Sequence, residues 1–500
     1  MLKSDRHLNI GETKLIEYNR RNFLQLAGFS AASLAVPSYG CIDESSYSKK
    51  INFVFILADD LGWSDLGCYG ADLHETPNLD RLAQQGMRFT DAYAASPVCS
   101  PTRASILTGK YPARLNMTTW RENAAKPPAI YKHIPPIAEQ NLPLEETTIA
   151  EALKNMGYQT AHIGKWHLGG AEHYPEAQGF DINIGGTIWG APATYFYPYR
   201  GERAQGKEIR YVPHLEFGHA GEYLTDRLTD EALRALEFMK DGPFYLNLAY
   251  HSVHTPIEGK PDYAARFAKK LKPEFHHQNP DYAAMVQSLD ENVGRILAKI
   301  DELGLSDNTV VFFFSDNGGY INENRGKAVT SNAPLRSGKG SLYEGGVREP
   351  LFIRWPGVAA AGSVCHEPVC SIDFFSTILE MNGVSASGVD GVSLVPLLKD
   401  PKTSLNRERL YWHYPHYYPT TTPAGSIREG DWKLIEYFED ERLELYNLRE
   451  DLSEKNNLSQ TQPQKAAELL EQLQAWRKEV NARMSAPNPN YKPGGPAMGF

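Results

Sequence analysis

An α/β fold is predicted for this chain: a large, mostly parallel sheet flanked by helices, followed by a smaller C-terminal α+β unit on an antiparallel sheet. Three observations lead there. Apolar runs of strand length alternate with segments of helical period from residue 51 to residue 314. Several of those runs are apolar throughout, the pattern of strands covered on both faces in a parallel sheet. Near residue 400 the texture changes to aromatic, His-rich and hairpin-like segments.

The folded part is expected to begin near Lys50. Residues 51–58 are nearly continuously apolar and read as the first buried strand. Residues 76–86 read as a short helix, with Pro77 and Asn78 near its start and Leu79, Leu82 and Ala83 at helical spacing. An amphipathic helix is expected over 145–156 and a strand over 158–163. The helix 223–239 precedes the strand 244–250, and the long helix 282–303 precedes the very apolar strand 309–314. In the smaller unit, 425–437 and 443–448 read as hairpin strands and 464–480 as a helix. The expected division is an export segment and linker (1–49), an N-terminal catalytic domain (50–400), a C-terminal subdomain (401–484) and an irregular tail (485–500) rich in Pro, Gly and Asn.

A chain of 500 residues, 41% hydrophobic and with 41 glycines and 33 prolines, fits a loop-rich enzyme and not a fibrous or disordered polymer. Its formal charge of -10 speaks against general nucleic-acid binding, which calls for a basic surface. Five cysteines (41, 68, 99, 365 and 370) are too few for a disulfide scaffold, although Cys365 and Cys370 are close enough in sequence to bridge. The segment Asn19-Arg20-Arg21-Asn22-Phe23-Leu24 resembles a twin-arginine export motif, followed by an apolar run over 23–36. That run is shorter than the roughly 20 residues a membrane-spanning helix needs, so no transmembrane span is expected. The expected location is the periplasm or beyond, and Ser38-Tyr39-Gly40-Cys41 hints at a lipid anchor on Cys41.

The chemistry lies at strand ends. Asp59-Asp60 follow the first apolar run, Lys165-Trp166-His167 follow 158–163, His251 and His254 follow 244–250, and Asp316-Asn317 follow 309–314. In an open parallel sheet the ligand site lies beyond the carboxyl ends of the strands, so these residues should converge. Each has an ordinary reading by itself, an Asp pair capping a helix or a His closing a turn. Together, each behind a buried strand, they describe a polar cleft. Asp59, Asp60, Asp316 and Asn317 offer only oxygen donors, which selects a hard cation such as Ca²⁺ or Mg²⁺ over zinc. Arg103, Lys165, His167, His254 and Lys339 add positive charge or proton donors, and such a ring invites a tetrahedral oxyanion.

The segment Cys99-Ser100-Pro101-Thr102-Arg103, running on to Gly109-Lys110, reads as a nucleophile turn entering a helix. It resembles the sulfatase signature C-x-P-x-R, whose cysteine is oxidised after translation to formylglycine. With Gly164-Lys165-Trp166-His167-Leu168-Gly169, His254-Thr255-Pro256 and Gly338-Lys339-Gly340-Ser341, the chain resembles type I, arylsulfatase-like sulfatases of the alkaline phosphatase superfamily from residue 51 to about 458. The resemblance implies an alkaline phosphatase-like fold and calcium held by Asp59, Asp60, Asp316 and Asn317 with the modified residue 99 in the shell. It implies that Arg103 steadies the formylglycine hydrate, Lys165 binds sulfate, and His167 supports the nucleophile. His254 and Lys339 would bind sulfate and assist the leaving group. A formylglycine-generating maturation enzyme is the implied partner. Thr102 stands where serine is more frequent.

The leaving group is read from Trp412-His413-Tyr414-Pro415-His416-Tyr417-Tyr418. Aromatic faces beside imidazoles suit a sugar ring, which makes Trp412, His413 and His416 candidate substrate-binding residues; a packed domain junction explains the same residues equally well. Loop 116–121 and the run 189–200 are further candidates for the rim. The expected substrate is a sulfated carbohydrate, such as a galactose or N-acetylgalactosamine sulfate of a glycan. A phosphodiesterase or phosphonate hydrolase of the same superfamily is the alternative within the class, and a non-catalytic protein that binds sulfated glycans is the alternative outside it.

Overall fold

The computed structural model describes residues 50–124, 131–203, 208–324 and 326–492. The export motif, the apolar run behind it and Cys41 lie outside the described residues.

The strand Asn52–Ala58, buried along its whole length, is the axis of a nine-stranded sheet. It pairs in parallel with Phe244–Ala249 on one side and Thr309–Ser315 on the other. Beyond Phe244–Ala249 come Gln159–Gly164 and Ile182–Ile184, again parallel. Beyond Thr309–Ser315 comes Arg348–Arg354, antiparallel to that strand and to Met87–Tyr93. The short strands Ser363–Cys365 and Val369–Cys370 close this edge in parallel with Met87–Tyr93. The sheet is therefore mostly parallel, with one antiparallel strand inside it.

Period-2 alternation between two covered faces explains why the central strand is apolar at every position from Phe53 to Ala58. Val54, Ile56 and Ala58 face the core formed with helices Leu224–Met239 and Pro280–Glu302. Phe53, Phe55 and Leu57 face the opposite core, where helices Cys99–Thr108, Ile149–Asn155 and Asp373–Met381 pack. The helix expected over 145–156 starts only at Ile149, because Thr148 caps it. The Thr148 hydroxyl accepts from the Glu151 N–H at 3.1 Å, and the Glu151 carboxylate accepts from the Thr148 N–H at 2.8 Å.

The smaller sheet is antiparallel, in the order Arg409–Tyr414, Ala424–Glu429, Trp432–Tyr437, Leu443–Asn447, with helix Pro463–Glu479 against it. Its first strand is the stretch singled out for aromatic and histidine content. Leu410, Trp412 and Tyr414 point into one core, while Tyr411 on the other face stacks on Trp476 with centroids 4.7 Å apart. Buried charges tie the two sheets together. Arg428 meets Asp91 at 2.8 Å, and Lys433 meets Glu344 at 2.7 Å and Glu454 at 3.0 Å. Cys365 and Cys370 are buried free thiols. Among the described residues, no helix is long and apolar enough to cross a membrane.

Candidate active site

The carboxyl ends of the parallel strands open on one place. Asp59 and Asp60 follow Ala58, Asp316 and Asn317 follow Ser315, and the loops after Gly164 and Ala249 bring in Lys165, His167 and His254. Cross-bonds knit the ends together: the Asp60 N–H donates to Asp316 Oδ1 at 3.2 Å, and Asn317 Nδ2 donates to Asp60 Oδ1 at 2.8 Å. Gly164 turns the chain out of its strand at φ 103°, where a Cβ would stand 2.0 Å from the Ala249 carbonyl oxygen. Only glycine can make that exit, and it delivers Lys165 into the site. Helix Cys99–Thr108 is buried throughout and carries Cys99 in its first turn. One turn later Arg103 donates through Nε to Asp316 Oδ2 at 2.8 Å and through Nη1 to the Lys165 carbonyl at 2.9 Å.

Opposed charges fill the floor. Lys165 Nζ lies 2.8 and 2.7 Å from the two Asp59 oxygens, and Lys339 Nζ lies 2.6 Å from Asp60 Oδ1. Burial pushes the Asp59 carboxyl well up despite Lys165. Burial acts on Asp60 too, but there Lys339 and His254 prevail and hold it below the usual carboxylate range. The Cys99 thiol would be raised by burial, yet Lys165, His167 and Lys339 bring it down to about 6. Cys99 Sγ is 3.4 Å from His167 Nδ1, whose other ring nitrogen is 2.6 Å from Glu122 Oε2. Burial pulls His167 down, and Glu122 with Cys99 more than reverses it. His254 is lowered by burial against the pull of Asp60, with Lys339 and Lys165 lowering it further.

Asp60, Cys99, His167, His254 and Lys339 line a cleft of about 640 Å³, within the range of a small-ligand site. Asp59, Arg103, Lys165, Asp316 and Asn317 are buried. The donor atoms of Asp59, Cys99 and Asp316 lie within 4.8 Å of one another, as do those of Asp59, Asp60 and His254. Asn317 Oδ1 is buried without a hydrogen-bond partner. An orphaned amide oxygen beside three carboxylates fits a hard divalent cation.

The sulfatase family profile matches residues 51–384, two thirds of the chain and all of the strand ends just described. The chain belongs to the sulfatase family. A second profile, the C-terminal region of N-sulphoglucosamine sulphohydrolase, matches residues 338–482 and so takes in the small sheet. A sulfatase of Formosa agariphila is 33% identical over 87% of this chain and 90% of its own length. Human N-acetylgalactosamine-6-sulfatase is 33% identical over 76% of this chain and 74% of its own. The crystal structure of Ps i-CgsB in complex with k-i-k-neocarrahexaose superposes with a TM-score of 0.70 at 28% identity, covering 89% of this chain and 95% of that one. The protein is accordingly a sulfuric ester hydrolase of the arylsulfatase-like, alkaline phosphatase superfamily fold.

In this sulfatase the run 412–418 lies differently from the sugar-binding expectation. Trp412 is 1% exposed, donates its indole N–H to the Ala94 carbonyl at 2.8 Å and packs edge-on against Tyr93. His413 Nε2 is 2.9 Å from the Arg483 carbonyl, and His416 Nε2 is 2.8 Å from the Thr118 hydroxyl. None of the three lines the cleft. For Trp412 and His413 the reason is strand register, since a ladder strand with sheet-core packing on one face and a helix on the other has no free face for a ligand; His416, past the end of the strand, is buried against the Thr118 hydroxyl. From the same run only Tyr418 reaches the cleft, its ring edge-on to Trp120 at 5.5 Å. Glu122 and Arg210, which no motif marks, also line it. Arg210 sits 5.1 Å above the Trp189 ring and 3.8 Å from Glu122. Glu122 stands 45 residues from His167 in the chain, so no motif spacing could have singled it out.

Proposed function

We propose that this sulfatase removes sulfate from a sulfated carbohydrate, with residue 99 oxidised to formylglycine and calcium held by Asp59, Asp60, Asp316 and Asn317. The observation that carries this reading is the placement of Cys99: on the cleft floor, in the first turn of a buried helix, facing His167 at 3.4 Å with Lys165 and Lys339 acting on it. Formylglycine supplies a geminal diol in place of a thiol, and calcium supplies positive charge against sulfate oxygens.

The other steps belong to the chain's own side chains. Arg103, clamped by Asp316, steadies residue 99, and its Nη2 is a buried donor with no hydrogen-bond partner. Lys165 and Lys339 face the equatorial sulfate oxygens as charge develops on them. Asp60 holds the proton of the attacking hydroxyl. His254 gives its Nδ1–H to the Thr255 carbonyl at 2.8 Å, leaving Nε2 toward the cleft. The charge of a bound sulfate ester offsets the two lysines, raises His254 and lets Nε2 protonate the leaving alcohol, with Lys339 assisting. His167 takes the last proton as the product sulfate leaves.

A carbohydrate leaving group is supported by the aromatic rim of Trp120 and Tyr418 over a polar floor, and by the names of the relatives that act on or bind sugars. The twin-arginine-like motif supports export to the periplasm or beyond, and the signature at Cys99 supports a maturation enzyme as partner. Mass analysis of the peptide containing residue 99, run beside sulfate release from sulfated galactose and N-acetylgalactosamine sugars, tests the reading. Full activity with residue 99 wholly present as cysteine would sink the mechanism. Turnover of an aryl phosphate diester or phosphonate in preference to an aryl sulfate would move the enzyme to the sister class.

A further inference from the structure

Two residues that line the cleft, Glu122 and Arg210, come from separate short elements, helix Arg121–Ala124 and strand Glu208–Tyr211. Strand alternation puts Glu208 beside Arg210 on one face and turns Ile209 and Tyr211 outward. Glu208 Oε2 accepts from Arg210 Nε at 3.1 Å and from Nη2 at 3.0 Å. The Trp189 ring lies against the guanidinium, its centroid 5.1 Å from Cζ. One edge and one face of the guanidinium are thereby held, and the side chain is 16% exposed, which is not the state of a solvated surface charge. The opposite edge is left over. Among the described residues Nη1 has no hydrogen-bond partner, and Nη2 keeps a second N–H.

Glu122 is divided in the same way. Its Oε2 is taken by His167 at 2.6 Å, while Oε1 accepts a long bond from the Gly190 N–H at 3.4 Å. Oε1 and Arg210 Nη2 stand 3.8 Å apart. A charge-assisted N–H···O bond measures about 2.7–2.9 Å, so the two do not meet directly, and a polar gap of that width suits a bridging group. The bridge has to accept from a cation and give a proton to a carboxylate. A hydroxyl does both. A second sulfate or a carboxylate has no proton to give, and it would meet Glu122, Glu208 and Glu323, which also lines the cleft, against one guanidinium.

We propose that Glu122 and Arg210 select a free hydroxyl of the sulfated sugar, which accepts from Arg210 and donates to Glu122 Oε1. The inference rests on the carbohydrate reading above and narrows it to sugars with no second anionic group at that position. It also ties recognition to the chemistry, because the same carboxylate holds His167 through Oε2, and His167 stands 3.4 Å from Cys99 Sγ. A sugar that lacks the hydroxyl leaves both charged groups unmatched.

The test uses the mature, calcium-saturated, full-length enzyme and the sugar monosulfate from which it releases sulfate fastest. Beside it runs a set of analogues in which each free hydroxyl in turn is replaced by hydrogen. Expected is a loss of about 10–100-fold in kcat/KM for one analogue, the scale of a hydrogen bond to charged groups. In Arg210→Met, which keeps a stem against Trp189, that preference for the parent sugar should shrink to about threefold or less. The preference is a ratio within one preparation, so partial misfolding of the variant cancels from it. A second sulfate at the selected position should lower kcat/KM. Three results overturn the proposal and leave the carbohydrate reading in place: no analogue losing more than about threefold, a preference undiminished in Arg210→Met, or faster turnover of the disulfated sugar. An enzyme that hydrolyses an aryl sulfate but no sugar sulfate overturns the carbohydrate reading itself, and the proposal with it.

Discussion

Replacing Glu122 with glutamine keeps the shape beside His167 and removes the charge. Glu122 Oε2 is 2.6 Å from His167 Nε2, and the imidazole is 2% exposed on its side chain, so solvent screens little of the interaction. Hydrogen bonds to charged groups contribute about 1.5–3 kcal/mol, which at about 1.36 kcal/mol per pKa unit lowers His167 by about 1–2 units. The sign follows from the site: burial pulls His167 down, and Glu122 is the largest influence raising it. If His167 takes the last proton, the acid limb of kcat reports its deprotonation, and that limb moves to lower pH by about 1–2 units while the plateau falls with the weaker base. The measurement is kcat against pH on a small aryl sulfate. An acid limb that stays at the wild-type position, or moves up, refutes the link between Glu122 and the proton on His167. The pair also contributes to stability within a window. The His167 part is complete below its unfolded pKa of about 6.5 and is lost as pH rises through the raised folded value. The Glu122 part is complete above about 4.5 and is lost as pH falls through its depressed value.

Tyr418→Ala should raise KM for a sulfated oligosaccharide while leaving a small aryl sulfate nearly unchanged, and equal losses on both would make Tyr418 part of the chemistry instead of the rim. Exhaustive chelation should abolish turnover and lower Tm, because a ligand present at 100 times its Kd stabilises the folded state by about 2.7 kcal/mol; full activity of protein shown by elemental analysis to lack metal would contradict the Asp59, Asp60, Asp316 and Asn317 set. Trp412→Ala should cost about 3–5 kcal/mol in urea unfolding, with no preference between aryl and sugar substrates. Cys99 is 3% exposed, so refolded protein that carries an unmodified cysteine should stay inactive when the maturation enzyme is added; recovery of activity would show that the helix opens.

The parallel half of the main sheet was legible because its strands are buried on both faces. Residues 51–58, 244–250 and 309–314 are apolar at almost every position, and a folded chain sustains that only between two layers of helices. The same logic led to the strand ends, where Asp59, Lys165, His254 and Asp316 are brought together. Arg348–Arg354 escaped notice for a physical reason. Its ends carry Arg348, Glu349 and Arg354, which resemble a solvated loop, and Arg348 is silenced only by Glu344 and Asp91. A charge neutralised from another segment looks, in sequence, like a charge in water. Met87–Tyr93 escaped in the same way, its Asp91 taken up by Arg348 and Arg428.

The cleft rim was the least legible part, because its members come from short segments that share no pattern. Glu122 belongs to the one-turn helix Arg121–Ala124 and Arg210 to the small strand Glu208–Tyr211, neither beside a signature motif. The run 412–418 shows how composition can mark the right neighbourhood and the wrong residues. While the chain stays in the ladder, through Tyr414, each aromatic is consumed by packing. Tyr418 leaves the ladder: it closes a tight turn with Thr421, and the Thr420 hydroxyl donates to the Lys339 carbonyl at 2.6 Å. Gly340, next to that lysine, gives the ring room, since a Cβ there would stand 2.0 Å from Tyr418. The aromatic of this run that lines the cleft is therefore the one bonded, through its turn, to the loop of Lys339. On that ground a substitution at Gly340 should disturb Tyr418 and Lys339 together, raising KM for sugar sulfates and lowering kcat on every sulfate ester. A Gly340→Ala enzyme that altered KM for the sugar alone would show that the two are not mechanically joined.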